Sequence, residues 1–497
     1  MHNKIGISYK FIQAFYWAFG LRITEHGLIF VKLIILARLL TPADFGLFGI
    51  AMLTIAMLET ISATGFSIAL IQKRESIRDY LDTVWVVNLI RGSLITLIMV
   101  ICSPYVGLFF EEPAVIDLVI VISFVPLLRG FSNPAVIFFQ KEMDFRKDSI
   151  YRIPGLFTDI IISISLAFLF NTVWALILGA IAREAVLLIV SFIIHPQKPA
   201  LQFNKSQFKE LYNYGKWINR TNIVYFISVN GDDILVGKFL GNTALGFYQV
   251  AYRITSLLVN DISNILERVS LPAYSNLQED MTDFKKKFFY IFEFNVAYMS
   301  PVTVYLILFA EPLILFILGE QWLPITTILI ILSISAFFRG ISNSAGVTFT
   351  SYGEPRINFL LNFVRMMVLL ISIFPLIYFL NLEGAAFSVL LSLLALVPIW
   401  VFYLKKYFQI QISDLVIKIY PYWLIVFIVA IITLFMMNYL DVSNFVTFLA
   451  ASLAYFICLV ITAFFVWKYG KIGYGSLYHK FRLINKNPDQ SKSEINV

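Results

Sequence analysis

Apolar runs of helix length, separated by short polar connections, organise the whole chain. They fall at 14–35, 45–71, 80–102, 114–139, 150–170 and 172–194, then at 214–239, 244–270, 288–310, 324–350, 356–380, 384–404, 418–440 and 444–467. A helix needs about 20 apolar residues to cross the hydrocarbon of a bilayer. The pattern therefore predicts an all-α integral membrane protein with about 14 transmembrane helices. No connection is long enough to fold into a soluble catalytic domain.

Composition agrees. Hydrophobic residues make up 59% of the 497 and charged residues 14%, against roughly 45–50% and 25% in a soluble domain. Mean hydropathy is +0.81. The two cysteines, Cys102 and Cys458, lie in apolar runs, and the four histidines are scattered, so neither a disulfide framework nor a zinc site is predicted. Met1 to Lys10 is polar and runs on into the first span, which predicts no cleavable signal.

The net charge of +7 points first to nucleic acid, but the distribution of the basic residues points to membrane orientation instead. Alternate connections carry Lys73, Arg74 and Arg78; Lys141, Arg146 and Lys147; Lys198, Lys205 and Lys209; Lys285 to Lys287; and Lys405 with Lys406. Both termini are basic. The opposite connections hold Glu111 and Glu112, or Glu311 to Gln321, without Lys or Arg. Basic connections stay on the cytoplasmic side, so both termini are predicted to be cytoplasmic. Arg38 and Lys238 break the pattern at span ends, where snorkelling is predicted.

The chain also repeats itself. Leu40, Gly46 and Ala51 match Leu240, Gly246 and Ala251, and Arg129-Gly130-Phe131-Ser132-Asn133 recurs as Arg339-Gly340-Ile341-Ser342-Asn343. Spans one to six thus resemble spans seven to twelve, and an even number per half gives both halves one orientation. The predicted organisation is two six-helix lobes in parallel repeat plus two C-terminal helices. Its parts are an N-terminal lobe over 1–195, a cytoplasmic amphipathic linker over 196–213, a C-terminal lobe over 214–410, two extra helices over 411–468 and a basic cytoplasmic tail over 469–497. Parallel repeats of this kind are transporter architecture.

Ionisable groups at bilayer depth face a cavity or a partner. In the first span Arg22, Glu25, His26 and Lys32 share one helical face; in the seventh, Lys216, Arg220, Asn230 and Asp233 do, with Asp232 off it. In the eighth, Arg253, Asn260, Asn264 and Glu267 form a stripe flanked by Asp261 and Arg268, and Glu59 adds an acid to the second. Ion pairs locking helices together are the alternative reading, as for Glu25 with His26 or Glu267 with Arg268. Lys32, Lys216 and Arg268 stand near span ends, where snorkelling is favoured. The deeper Arg22, Arg220 and Arg253 are predicted to line a cavity. For Arg129 and Arg339, close helix packing at the following Gly-x-Ser-Asn is an equal reading.

No ATP-binding loop is found. Gly231 to Lys238 has five residues between its glycines and no Ser or Thr after the lysine, and it lies within a span. The Asp232-Asp233 pair is at most a weak reminder of glycosyltransferase carboxylates. Energy is predicted to come from a gradient or the membrane potential, with H+ or Na+ as the coupling ion and no bound cofactor.

Leu39-Leu40-Thr41-Pro42-Ala43-Asp44-Phe45-Gly46-Leu47-Phe48 resembles the signature of bacterial polysaccharide flippases of the Wzx type. These belong to the superfamily that includes multidrug extruders and lipid II flippases. Gly241 to Tyr248, with Ala251-Tyr252-Arg253, looks like its counterpart in the second half. The resemblance implies a non-enzymatic flippase of the bacterial inner membrane. Its implied cargo is undecaprenyl-diphosphate-linked oligosaccharide, moved from the cytoplasmic to the outer leaflet. Related flippases use a cationic cavity lined by spans one, two, seven and eight. The substrate-cavity candidates are then Arg22, Glu25, His26, Glu59, Arg220, Asp233, Arg253, Asn260 and Asn264. Implied partners are the lipid-linked oligosaccharide, membrane lipids and the polysaccharide polymerase machinery, with no nucleic acid. The alternatives are a multidrug/cation antiporter, favoured by the acids Glu59, Asp232 and Asp233, and a membrane polysaccharide polymerase, whose chemistry needs a long outer loop that is not read in this sequence.

Overall fold

The computed structural model describes residues 20, 24–72, 77–142, 144–260, 281–439 and 444–470. Among these residues the chain is helical between short connections, with no strand. Ten stretches are long and apolar enough to cross a membrane. One of them, Arg356–Phe408, is 53 residues long and is broken at Asn381, whose φ of 51° and ψ of −129° no helix contains. The chain divides into two compact units, residues 1–250 and 251–497.

The first unit begins with α1 (24–39) and α2 (Pro42–Ile61). The break between them is written in the sequence. Thr41 caps α2 and Pro42, which has no amide hydrogen to leave unpaired, follows it. The Thr41 hydroxyl accepts from the Asp44 amide at 3.3 Å, and the Asp44 carboxylate accepts from the Thr41 amide at 3.0 Å. This reciprocal capping box satisfies two donors that a helix start leaves open. The second Asp44 oxygen accepts from the Val173 amide at 3.0 Å, which ties the start of α2 to a later hairpin.

Then come α3 (Phe66–Gln72), α4 (Leu81–Phe110), α5 (Ala114–Ile122), α6 (Phe124–Phe131), α7 (Ile137–Lys141), α8 (Phe145–Phe170) and α9 (Trp174–Ile194). Helices α8 and α9 form a hairpin that turns at Asn171, in the left-handed region. Residues 205–213 of the predicted linker begin a long helix, α10 (Lys205–Thr255), and its Leu211 and Phe208 pack against Phe66 and Leu70 of α3. Gly241, with φ of 85°, breaks α10 into two segments. The second segment crosses α2 so closely that a Cβ on Gly46 would lie 1.7 Å from the Asn242 carbonyl oxygen, and one on Gly246 would lie 1.8 Å from that of Pro42.

The second unit comprises α11 (Met281–Leu308), α12 (Thr326–Tyr352), α13 (Pro355–Leu394), α14 (Leu396–Phe408), α15 (Ile412–Tyr439) and α16 (Phe445–Gly470). Helix α12 is its most buried span. The last helix of this unit is tied to its first. Tyr455 of α16 donates to the Pro301 carbonyl of α11 at 2.8 Å, and the Tyr305 and Ser452 hydroxyls are 3.0 Å apart.

Candidate functional site

Four helices of the first unit bring charges together within apolar surroundings. Glu59 comes from the last turn of α2, Arg91 from α4, Arg129 from α6 and Glu184 from α9. Arg129 Nη1 donates to both carboxylate oxygens of Glu59 at 2.9 Å, and its Nη2 donates to Glu184 Oε1 at 3.0 Å. Arg91 braces the same corner: Nη2 donates to the Glu59 carbonyl at 2.9 Å and Nε to Ser62 Oγ at 3.1 Å. The planar guanidinium suits this work because its donors are fixed in a fork. The Glu184 side chain is only 10% exposed, whereas that of Arg129 is 41% exposed. Both terminal nitrogens of the arginine are therefore committed to carboxylates, the buried Glu184 and the more exposed Glu59.

A second pair joins the first and fifth predicted spans. Lys32 Nζ donates to Asp159 Oδ1 at 2.5 Å, and Ser163 Oγ donates to the same oxygen at 3.1 Å. Snorkelling predicted for Lys32 gives way to this pair, because a buried carboxylate needs compensation more than a lysine needs the interface. Lys238, at its span end, donates to the exposed Glu111 carboxylate at 2.6 Å. Asp232, buried in the first segment of α10, accepts from the Tyr248 hydroxyl in the second at 2.6 Å.

In the second unit Arg339 of α12 donates from Nη1 to the Tyr252 hydroxyl, and its guanidinium carbon lies 4.5 Å from the centre of the Tyr252 ring. The two repeat-related arginines thus have parallel roles. Arg129 reaches α2 and Arg339 reaches the end of α10, each onto the helix that begins at one of the matched signature runs.

Of the predicted cavity residues, Arg22 and Asn264 lie outside the described residues, as do Asp261, Glu267 and Arg268. Arg220 and Asn260 fall on helical backbone, in α10 and in the turn Ser256–Asn260. Glu25 and His26 are half-buried on α1, Asp233 is half-buried on α10, and Arg253 is exposed near the end of α10. Among the described residues of that set, Glu59 is the one joined to the cluster above, by residues the predicted set omitted. Arg91, Glu184 and Asp159 had a usable signal: each is a charge inside an apolar run. Their mutual contacts had none.

The profile of a family described as "Polysaccharide biosynthesis protein" matches residues 35–327. The lipopolysaccharide biosynthesis protein WzxC of Escherichia coli (strain K12) is 23% identical over 71% of this chain and 72% of its own. The teichuronic acid biosynthesis protein TuaB of Bacillus subtilis (strain 168) is 24% identical over 59% and 62%. The lipid II flippase MurJ in an inward closed conformation superposes with a TM-score of 0.72, covering 92% of this chain and 99% of that one at 16% identity. An inward-facing multidrug resistance transporter of the MATE family superposes at 0.61, covering 78% and 94% at 15% identity. The fold is that of these multi-pass transporters, and the profile covers more than half of the chain: the protein belongs to the polysaccharide biosynthesis protein family.

Proposed function

We propose that the chain is a flippase that moves undecaprenyl-diphosphate-linked oligosaccharide from the cytoplasmic to the outer leaflet by alternating access. The observation that carries this reading is the polysaccharide biosynthesis profile over residues 35–327, joined to a fold shared along 92% of the chain with a lipid II flippase. A basic group can compensate a diphosphate where water is scarce, and a polyprenyl tail need never leave the lipid. A cation antiporter is the alternative, and two of the three acids that favour it, Glu59, Asp232 and Asp233, are engaged by other side chains. Glu59 is held by Arg129, and Asp232 accepts from Tyr248.

In this reading 14 spans form two six-helix lobes plus two helices, in the bacterial inner membrane with both termini cytoplasmic. Arg22, Arg220 and Arg253 meet the head group, with Glu25, His26, Glu59, Asp233, Asn260 and Asn264 beside them. H+ or Na+ drives the cycle, and the polymerase machinery receives the product.

Deletion of the gene followed by extraction of lipid-linked intermediates tests the activity. Completed units should accumulate on the cytoplasmic leaflet while surface polysaccharide is lost. Accumulation of units already translocated would assign the protein to polymerisation instead. Replacing Arg22, Arg220 and Arg253 by Gln, singly and together, should reduce flipping with protein levels maintained. Undiminished transport in the triple variant would remove these residues from the pathway.

A further inference from the structure

One cavity lies away from the charged cluster, at the basic end of the first unit. It has a volume of about 580 Å³ and is lined by Arg78 ahead of α4, Phe138 of α7, Glu142, Lys147 in the first turn of α8, and His195 and Gln197 after α9. Its wall is built. His195 stacks on Phe138 with ring centres 5.4 Å apart and planes 7° from parallel. Gln197 is fixed twice, since its amide donates to His195 Nδ1 at 3.2 Å and its side chain donates to the Arg78 carbonyl at 3.3 Å. Burial pushes the His195 imidazole below its usual range. With Nδ1 accepting, the neutral ring carries its hydrogen on Nε2 as a donor.

The cavity therefore offers a guanidinium, an ammonium and an imidazole N–H, against the one lining carboxylate of Glu142. Lys147 is held at its place by Asp144, 3.1 Å away. Three donors suit a phosphodiester, and Glu142, the carboxylate that lines the cavity, suits one ammonium. The source of such a group is indicated by the surroundings. Membrane-spanning α9 ends at the cavity wall, its penultimate residue Ile193 is 76% exposed, and Leu201 and Phe203 of the following segment are exposed as well. Exposed apolar side chains at the end of a span face acyl chains.

We propose that this cavity binds the head group of a membrane phospholipid bearing both a phosphodiester and a primary ammonium. Arg78 and Lys147 take the phosphate and Glu142 takes the ammonium. The site is independent of the cargo pathway, because none of its residues belongs to the charged cluster or to the predicted cavity set.

The test uses the purified full chain in nanodiscs with equal parts of phosphatidylethanolamine, phosphatidylglycerol and phosphatidylcholine, with retained lipid read by native mass spectrometry. Ethanolamine lipid should be retained over the other two. Glu142→Gln should lower the ethanolamine-to-glycerol ratio about tenfold, the weight of one charge-assisted hydrogen bond. Arg78→Gln with Lys147→Gln should reduce retention of all three lipids, and Arg78→Lys should keep it. Should the double variant unfold, the Glu142→Gln ratio decides, because that exposed side chain is outside any core. Equal retention of the three lipids, or an unchanged ratio in Glu142→Gln, overturns the proposal. Displacement of the lipid by millimolar phosphoethanolamine or inorganic phosphate also overturns it, and reassigns the cavity to a soluble ligand.

Discussion

Gly46 and Gly246 face each other across one helix crossing, each against the other helix's first turn. A Cβ on Gly46 would meet the carbonyl oxygen of Asn242 at 1.7 Å, and a Cβ on Gly246 would meet that of Pro42 at 1.8 Å. Gly46 and Gly246 are 200 positions apart, and so are Pro42 and Asn242, which is a spacing of the internal repeat. The contact is reciprocal, as a local twofold relation requires. It accounts physically for the two signature runs: the Thr41 cap starts one helix, Gly241 starts the other segment, and a glycine five residues on lets the two backbones touch.

Substitution at this crossing should be poorly tolerated. Gly46→Leu and Gly246→Leu should each destabilise by about 1–3 kcal/mol or more through overpacking. The double variant should lose less than the sum, since the first side chain already separates the helices. Gly27→Ala serves as the control, because that helical glycine has nothing within 4 Å of its Cβ and should gain roughly 0.5–1 kcal/mol. Thermal unfolding of purified protein measures all four, and a Gly46→Leu protein as stable as the parent would contradict the crossing.

The charged cluster predicts an order of harm. Arg129→Gln should destabilise most, because it strands the Glu184 carboxylate, whose side chain is 10% exposed, as well as Glu59. Glu184→Gln should cost less, and Glu59→Gln, with its 26% exposed side chain, least. Arg129→Lys should fall between parent and Gln, because it restores charge without the fork. Midpoints from thermal unfolding in detergent give the ranking, and a reversed order would mean that Glu59 is the anchored acid.

Acid should weaken one surface tie. The Lys238 ammonium, hydrogen-bonded at 2.6 Å, holds the Glu111 carboxyl below the ordinary carboxylate range. A carboxylate with a lowered folded pKa stabilises above its unfolded value, about 4.3. That contribution is lost as pH falls through the lowered value. The stability difference between parent and Glu111→Gln should therefore be constant from neutral pH down to about 5, then shrink towards zero. A difference independent of pH would separate Glu111 from Lys238.

Orientation is open to chemical labelling. Single cysteines placed at Lys286 and at Glu112 should react with an impermeant maleimide from opposite sides of the membrane. Reaction of both from one side would remove the fourteen-span topology and the cytoplasmic termini with it.

Much of the fold was readable in the chain because its signals are local. Hydropathy over about 20 residues marks a span wherever it occurs, and the helices from α2 onward overlap the predicted runs, although 45–71 is broken between α2 and α3 and α10 begins inside the predicted linker. Thr41, Pro42 and Asp44 announce a helix start from four adjacent positions. Lone charges in apolar runs announce that partners exist. Only the tertiary structure chose the partners. Glu59 and Arg129 are 70 residues apart, and Arg129 and Glu184 are 55 apart. Their meeting depends on the rotation of three helices about their own axes and on the depth of each. Hydropathy constrains neither to the ångström that a hydrogen bond demands. The same holds for Lys32: its position near a span end suggested the interface, and packing brought the buried Asp159 carboxylate within reach. The repeat could be seen by aligning Gly46 with Gly246. That the two glycines touch each other's helix, rather than equivalent surfaces elsewhere, was decided by how α10 bends at Gly241 and folds back across α2.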